Sequence, residues 1–206
     1  MRTLVIDSAT EACSVALFES GALLAGELRM LGRGHAEQLI PMIAALPERG
    51  HAQRIAVALG PGSFTGVRVG LAAAKALALA WDAELVGYTT PEMISAQART
   101  QSSGPVGVAL TAGHGEWFVQ EFRADGAAMG ALASLAPEFA VQAIRNEVIA
   151  GSQAEALVAA RGFGTSLPLW PDARQFALLP PQALTTVVAP IYGRGPDARL
   201  PGGAAA

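Results

Sequence analysis

Ile55-Ala56-Val57-Ala58-Leu59-Gly60-Pro61-Gly62-Ser63-Phe64-Thr65-Gly66-Val67-Arg68-Val69-Gly70 carries a strand, a corner and a helix start in one stretch. The apolar run Ile55 to Leu59 reads as a buried strand. Gly60, Pro61 and Gly62 punctuate it. Ser63 stands where its hydroxyl oxygen can accept an orphan backbone N–H of the first helical turn. The helix then runs on through Leu71 to Ala80. Two readings of the corner stay open. A helix N-terminus offers free N–H groups and partial positive charge to an anion. Alternatively, glycine is needed there only for a tight strand-to-helix turn. Neither Gly-x-x-x-x-Gly-Lys-Ser/Thr nor Gly-x-Gly-x-x-Gly occurs in the chain.

Within that helix Gly66, Gly70, Ala74 and Ala78 recur every fourth residue and so line one face. A face of small residues admits another backbone closely. The approaching element is either the chain's own sheet or a helix of a second subunit. On the second reading Gly66, Gly70, Ala74 and Ala78 leave a shallow groove. Leu39, Ile43 and Leu71, with His35 at the start of the preceding helix, then complete a self-complementary interface. Arg68 and Lys75 interrupt the apolar run, which argues against a membrane span.

The chain has 206 residues, 51% hydrophobic and 15% charged, with a formal net charge of −3. That is the composition of a folded chain with a real core. Lys75 is the only lysine and there is no basic block. Autonomous tight binding to nucleic acid, which rests on phosphate neutralisation, is therefore not expected. The single cysteine, Cys13, rules out an intrachain disulfide framework and reads as a small core residue. Met1 to Asp7 holds too short an apolar run for a signal peptide, so a cytoplasmic protein is expected.

Upstream, Thr3 to Asp7, Cys13 to Glu19 and Leu23 to Arg29 read as a strand meander. Asp7 and Thr10 sit at its tip. A carboxylate and a hydroxyl there can hold a metal-nucleotide, or simply bond the turn backbone. His35 to Leu46 reads as a helix, with Pro41 expected to kink it or mark a first turn. A metal site on this helix needs a second histidine four residues on, where the chain has Leu39; His35 is read as a capping or interface residue. Downstream, Ala83 to Tyr88 is a strand, and Thr90 caps a helix opened by Pro91. The polar connector Thr100 to Pro105 is the expected domain boundary. Beyond it come strands at Val106 to Thr111, Glu116 to Arg123 and Glu147 to Ala150. Helices are expected at Pro137 to Ile144, at Gln153 to Ala160 and from Pro180 or Pro181 to about Ala189. A Gly/Pro/Ala tail, 195–206, is expected to be disordered. His51 and His114 have no ligand spacing, and no nucleophile–base pair assembles.

Asp7-Ser8-Ala9-Thr10-Glu11-Ala12-Cys13-Ser14-Val15-Ala16-Leu17, His35 with Pro41, and the Gly60 to Leu71 stretch together resemble the TsaB family of bacterial tRNA threonylcarbamoyladenosine biosynthesis proteins. The resemblance covers residues 1 to about 95 and is looser through Thr111 to Phe118 and at Pro190-Ile191-Tyr192. It implies an α/β, two-lobed actin-like fold of the sugar-kinase/Hsp70 (ASKHA) type, each lobe a mixed sheet with flanking helices. Residues 1–100 would form the lobe with the dimerisation helices and 101–194 the second lobe. It also implies a non-catalytic paralogue of TsaD, the subunit that transfers threonylcarbamoyl to N6 of the adenosine beside the anticodon. Implied partners are a TsaD-type subunit, a TsaE-type ATPase and a second copy of the chain. tRNA is met only through that complex, without a membrane and with no cofactor. Asp7 and Thr10 would then be remnants of a degenerate nucleotide site. A stand-alone kinase-like, peptidase-like or nucleotide-binding protein of the same superfamily is the alternative. Two departures stand out: Thr111-Ala112-Gly113 stands where the family often has Asp-Ala-Arg, and the final helix expected after Tyr192-Gly193-Arg194 is missing or truncated.

Overall fold

The computed structural model describes residues 1–193. The expected disordered tail and the helix missing after Arg194 lie outside the described residues.

Two five-stranded mixed sheets make up the architecture. In the first, β1 (Arg2–Asp7), β2 (Ala12–Glu19) and β3 (Ala22–Met30) form the meander, and β4 (Arg54–Ala58) and β5 (Glu84–Tyr88) add in parallel beside β1. The order is β3-β2-β1-β4-β5. In the second, β6 (Val106–Thr111), β7 (Trp117–Phe122) and β8 (Ala133–Leu135) form the meander, with β9 (Val148–Ala150) and β10 (Thr165–Leu167) parallel beside β6. Its order, β10-β9-β6-β7-β8, is that of the first sheet position for position. The topology is thus repeated without a sequence repeat.

Alternation along β1 separates two layers on the first sheet. Leu4 and Ile6 face the helices α1 (His35–Ala44) and α2 (Phe64–Trp81). Asp7 faces the other way, toward Tyr88 on β5. That second face is covered by a segment that returns from the second lobe. Its 3-10 turn Ala173–Leu178 packs Phe176 against Phe18 and Tyr88, with ring centroids 6.0 Å apart in both pairs. In the second lobe, Val106, Val108 and Leu110 share a core with α3 (Thr90–Ala98). Ala109 and Ile149 share another with α4 (Pro137–Ala143) and α5 (Ala154–Arg161).

Two local expectations are corrected, and a third is narrowed. Thr89, not Thr90, caps α3. Its hydroxyl accepts the Glu92 N–H, and the Glu92 carboxylate accepts the Thr89 N–H, a reciprocal box that the neighbouring Thr90 is not spaced to make. Pro41 lies inside α1 and not in its first turn, on the helix's exposed side. The helix expected from Pro180 or Pro181 to Ala189 is only a 3-10 turn, Pro181–Ala183. Beyond it Thr185 exchanges both backbone hydrogen bonds with Gly87 and pairs with the β5 edge instead.

Candidate functional site

Both lobes turn the carboxyl ends of their parallel strands toward one cleft of about 800 Å³, the usual place for a ligand in open α/β sheets. Thr10 and Glu11 come from the turn after β1, and Ser63, Phe64 and Arg68 from the start of α2. Thr111 to His114 follow β6, Ser152 follows β9, and Tyr192 comes from the end of the described chain.

The glycine corner serves close approach. Ser63 N–H donates to the Ala9 carbonyl at 2.7 Å, and Ser8 Oγ donates to the Gly66 carbonyl at 2.9 Å. A Cβ at Gly62 or Gly66 would run into the backbone oxygens of Ala9 and Ser8, and one at Gly70 would lie 2.5 Å from Ser8 Oγ. Only glycine lets α2 sit this near the β1–β2 turn. Ser63 Oγ accepts the Gly66 N–H at 3.3 Å, the expected cap.

Asp7 is fully buried. Its Oδ1 accepts the Ala9 N–H at 3.1 Å and its Oδ2 the Tyr88 hydroxyl at 3.0 Å. Burial pushes its carboxyl up to about 7, against the pull of those two hydrogen bonds. Thr10 Oγ1 accepts the Ala12 N–H at 3.2 Å. Both side chains therefore bond their own turn, and only Thr10 of the two lines the cleft. The neighbour that faces the cavity is Glu11, whose Oε1 accepts the Trp170 indole N–H at 2.8 Å. Across the cleft Thr111, standing where the first lobe has Asp7, pairs with Ser152 Oγ through its N–H at 3.0 Å and its hydroxyl at 3.1 Å. At the α2 corner Arg68 lies 3.6 Å above the Phe64 ring and donates from Nε to Tyr192 at 3.0 Å.

The residues expected at an interface all turn inward. His35, Leu39, Ile43, Leu71, Ala74 and Ala78 are buried within this one chain, as are Gly66 and Gly70. The small-residue face meets the chain's own β1 turn and sheet, because Val57, Ile6 and Ser8 fill the groove beside Gly70. Among the residues that α1 and α2 leave exposed are the apolar Ala36 and Ile40 on α1 and Ala72, Ala76 and Leu79 on α2, with the charged Glu37 and Lys75 beside them. Ile40 is 51% and Leu79 87% exposed. α2 is long and apolar enough to cross a membrane by length and composition; here one face of it is built into the first core. His35 Nε2 has no hydrogen-bond partner among the described residues. No group of three or more His, Cys, Asp or Glu suited to a metal occurs among them either.

Tyr88, Trp170, Arg68 with Tyr192, and Ser152 escaped the sequence reading. Their partners lie far away in sequence, and no local pattern marks them.

The family model for TsaD, tRNA N6-adenosine threonylcarbamoyltransferase, matches residues 29–161. The tRNA threonylcarbamoyladenosine biosynthesis protein TsaB of Escherichia coli K12 is 38% identical over 132 residues, 61% of this chain and 56% of that protein. The matched stretch thus spans about half the length of that curated relative. A Pseudomonas aeruginosa protein described as similar to the peptidase YEAZ superposes with a TM-score of 0.76 at 27% identity, over 94% of this chain and 99% of that one. The ethanolamine utilization protein EutJ of Carboxydothermus hydrogenoformans superposes with a TM-score of 0.51 at 12% identity over 87% and 90% of the two chains, a likeness of fold alone. The two-lobed actin-like fold and these matches agree: the chain belongs to the TsaD family of tRNA N6-adenosine threonylcarbamoyltransferases, on its TsaB/YeaZ branch.

Proposed function

We propose that this chain is a non-catalytic, cytoplasmic subunit in the formation of tRNA N6-threonylcarbamoyladenosine. It docks on a TsaD-type catalytic subunit, works beside a TsaE-type ATPase, and pairs with a second copy of itself when alone. The observation that carries the reading is the outer face of the α1–α2 layer. Ala36, Ile40, Ala72, Ala76 and Leu79 present apolar side chains to solvent on two helices packed side by side, with Glu37 and Lys75 exposed beside them. Apolar surface rimmed by polar residues is the kind that marks a partner site. The buried set, His35, Leu39, Ile43, Leu71 and the small residues of α2, supports that face from beneath and sets the spacing of the two helices. Asp7 and Thr10, engaged in their own turn, fit a chain that leaves chemistry to its partner.

The test is capture of a TsaD-type subunit by the full chain, with and without Ile40→Glu and Leu79→Glu together. Both positions are exposed, so melting temperature should hold while capture and self-association in sedimentation are lost. Capture that survives the double change overturns the docking face.

The cleft of about 800 Å³ favours one second reading, a stand-alone nucleotide-binding protein. Calorimetric titration with Mg-ATP separates the two. Submillimolar binding by the isolated chain that Arg68→Ala weakens at least tenfold supports the second reading over the first.

A further inference from the structure

Two-lobed proteins close over a ligand by rotating about a few residues that absorb the change in φ and ψ. The described chain bridges the lobes at three places, and each crossing or contact is tied to both lobes. The first crossing is α3. Every residue of it except Glu92 is buried. Met93 and Ala96 belong to the core of the first lobe, Ile94 and Ala98 to that of the second. One helix is thus shared face by face, with no free side on which to pivot.

The second crossing has almost no slack. Leu169 packs against the second lobe's core, and Ala173 is already in the first. Between them every step is bonded to the first lobe or to α3. The Trp170 indole donates to Glu11 at 2.8 Å, and the Trp170 carbonyl accepts from Gln97 Nε2 at 3.1 Å. The Pro171 carbonyl accepts from Ser14 Oγ at 3.2 Å. Asp172 N–H donates to Gln97 Oε1 at 3.2 Å, and Ala173 N–H to Ser14 Oγ at 2.9 Å. Ser14 is fully buried and Gln97 nearly so, so both ties lie where water does not compete. The third crossing runs along the cleft itself. Ile191 packs on the first core and donates its N–H to the Leu59 carbonyl at 2.7 Å, while Gly193 lies against the ring of Phe118 in the second core.

We propose that these three crossings lock the lobes into one rigid frame, and that the cleft keeps a fixed opening whether or not a small molecule enters it. A hinge rotation would have to pull α3 from one of its two cores or break the Ser14 and Gln97 ties together. Interiors packed in this way move between discrete arrangements and do not bend continuously. The inference is read from the isolated chain and stands apart from the docking proposal.

The experiment places spin labels at Glu19→Cys on β2 and Glu155→Cys on α5, both exposed and away from the outer face of α1 and α2. The labelled chain is diluted into an excess of unlabelled chain so that a second copy adds no distance. Cys13, at 0% exposure, leaves the labels unique. The distance distribution is measured on the full chain with and without millimolar Mg-ATP. One narrow distribution, unchanged by Mg-ATP, is expected. Combining Ser14→Ala with Gln97→Ala should roughly double its width, because local opening follows the loss of buried ties. Glu11→Ala, which removes only the Trp170 tie, should broaden it less and serves if the double variant does not fold. A distance that shortens with Mg-ATP in the unaltered frame overturns the lock. So does a distribution that stays narrow in both variants.

Discussion

The two lobes share one strand order and differ in how it is fastened. In the first lobe the strands run from five to nine residues, and β2 is buried on both faces over nearly its whole length. In the second, β8, β9 and β10 are three residues each. At the end of the first strand of each meander, the first lobe has Asp7, fully buried under Tyr88; the second has Thr111, exposed and bonded to Ser152. At this one strand end the first lobe thus puts its polar group into the fold, and the second leaves it at the cleft. The same topology can therefore be a tightly packed platform in one copy and a lighter cleft wall in the other.

Overfilling the platform should give the largest effect. Gly70→Leu drives a side chain into Ser8, Val57 and Ile6. The cost falls on folding, at roughly 1–3 kcal/mol by analogy with overpacked cores. For a domain of this size that lowers the melting temperature by about 2–4 °C per kcal/mol. Gly66→Ala should act in the same direction, since the Ser8 carbonyl in its way is backbone and cannot turn aside. A normal melting temperature with lost self-association would place this face at a partner instead of the sheet.

Next in size, taken per pH unit, is the pH dependence of Asp7. Its carboxyl is raised to about 7 by burial, whereas in the unfolded chain it titrates near 3.8. Between those values the folded state keeps a proton that the unfolded state has released. Stability therefore falls as pH rises through this window, by at most about 1.4 kcal/mol per pH unit, and levels off above it. Asp7→Asn cannot ionise. Its stability relative to the parent should climb from pH 4 to 7 in chemical denaturation and stay flat beyond. A constant difference across that range would show that Asp7 is charged in the fold. Cys13 adds a control, since burial pushes its thiol up to about 12. It should resist thiol reagents at neutral pH until the chain unfolds.

The first lobe was readable because its strands are long enough for alternation and its corner is spelled out by Gly60, Pro61, Gly62 and Ser63. The second was readable in β6 and β7, which reach six residues, in β9 ahead of its Gly151-Ser152 turn, and in the helices α4 and α5, but not in β8 or β10. A three-residue strand such as β10 shows no period. The helix expected from Pro180 or Pro181 failed for a tertiary reason: Thr185 found the edge of β5. At the site, the spacing of Gly66, Gly70, Ala74 and Ala78 shows that they share a face but not what that face meets. A sheet and a partner helix ask for the same small residues. Asp7 was visible as a strand-end carboxylate, while Tyr88, its hydrogen-bond donor, lies 81 residues further on.

The smallest expected effect lies at the second lobe's counterpart of Asp7. Thr111 Oγ1 meets Ser152 Oγ at 3.1 Å and accepts from Gln153 Nε2 at 2.9 Å, all at an exposed position. Thr111→Val keeps the shape and removes the hydroxyl. Water can reach the groups left behind, so no buried donor is orphaned. The Thr111 N–H keeps its bond to Ser152, which fixes the end of β6 without the side chain. Stability should change by no more than about 0.5 kcal/mol, the range of surface substitutions that break no buried feature. The pH profile should stay that of the parent, because nothing titrating has been touched. A loss comparable with that of Gly70→Leu would mean that the hydroxyl cluster is buried in solution, and the contrast between a packed lobe and an open one would then fail where the two are most alike.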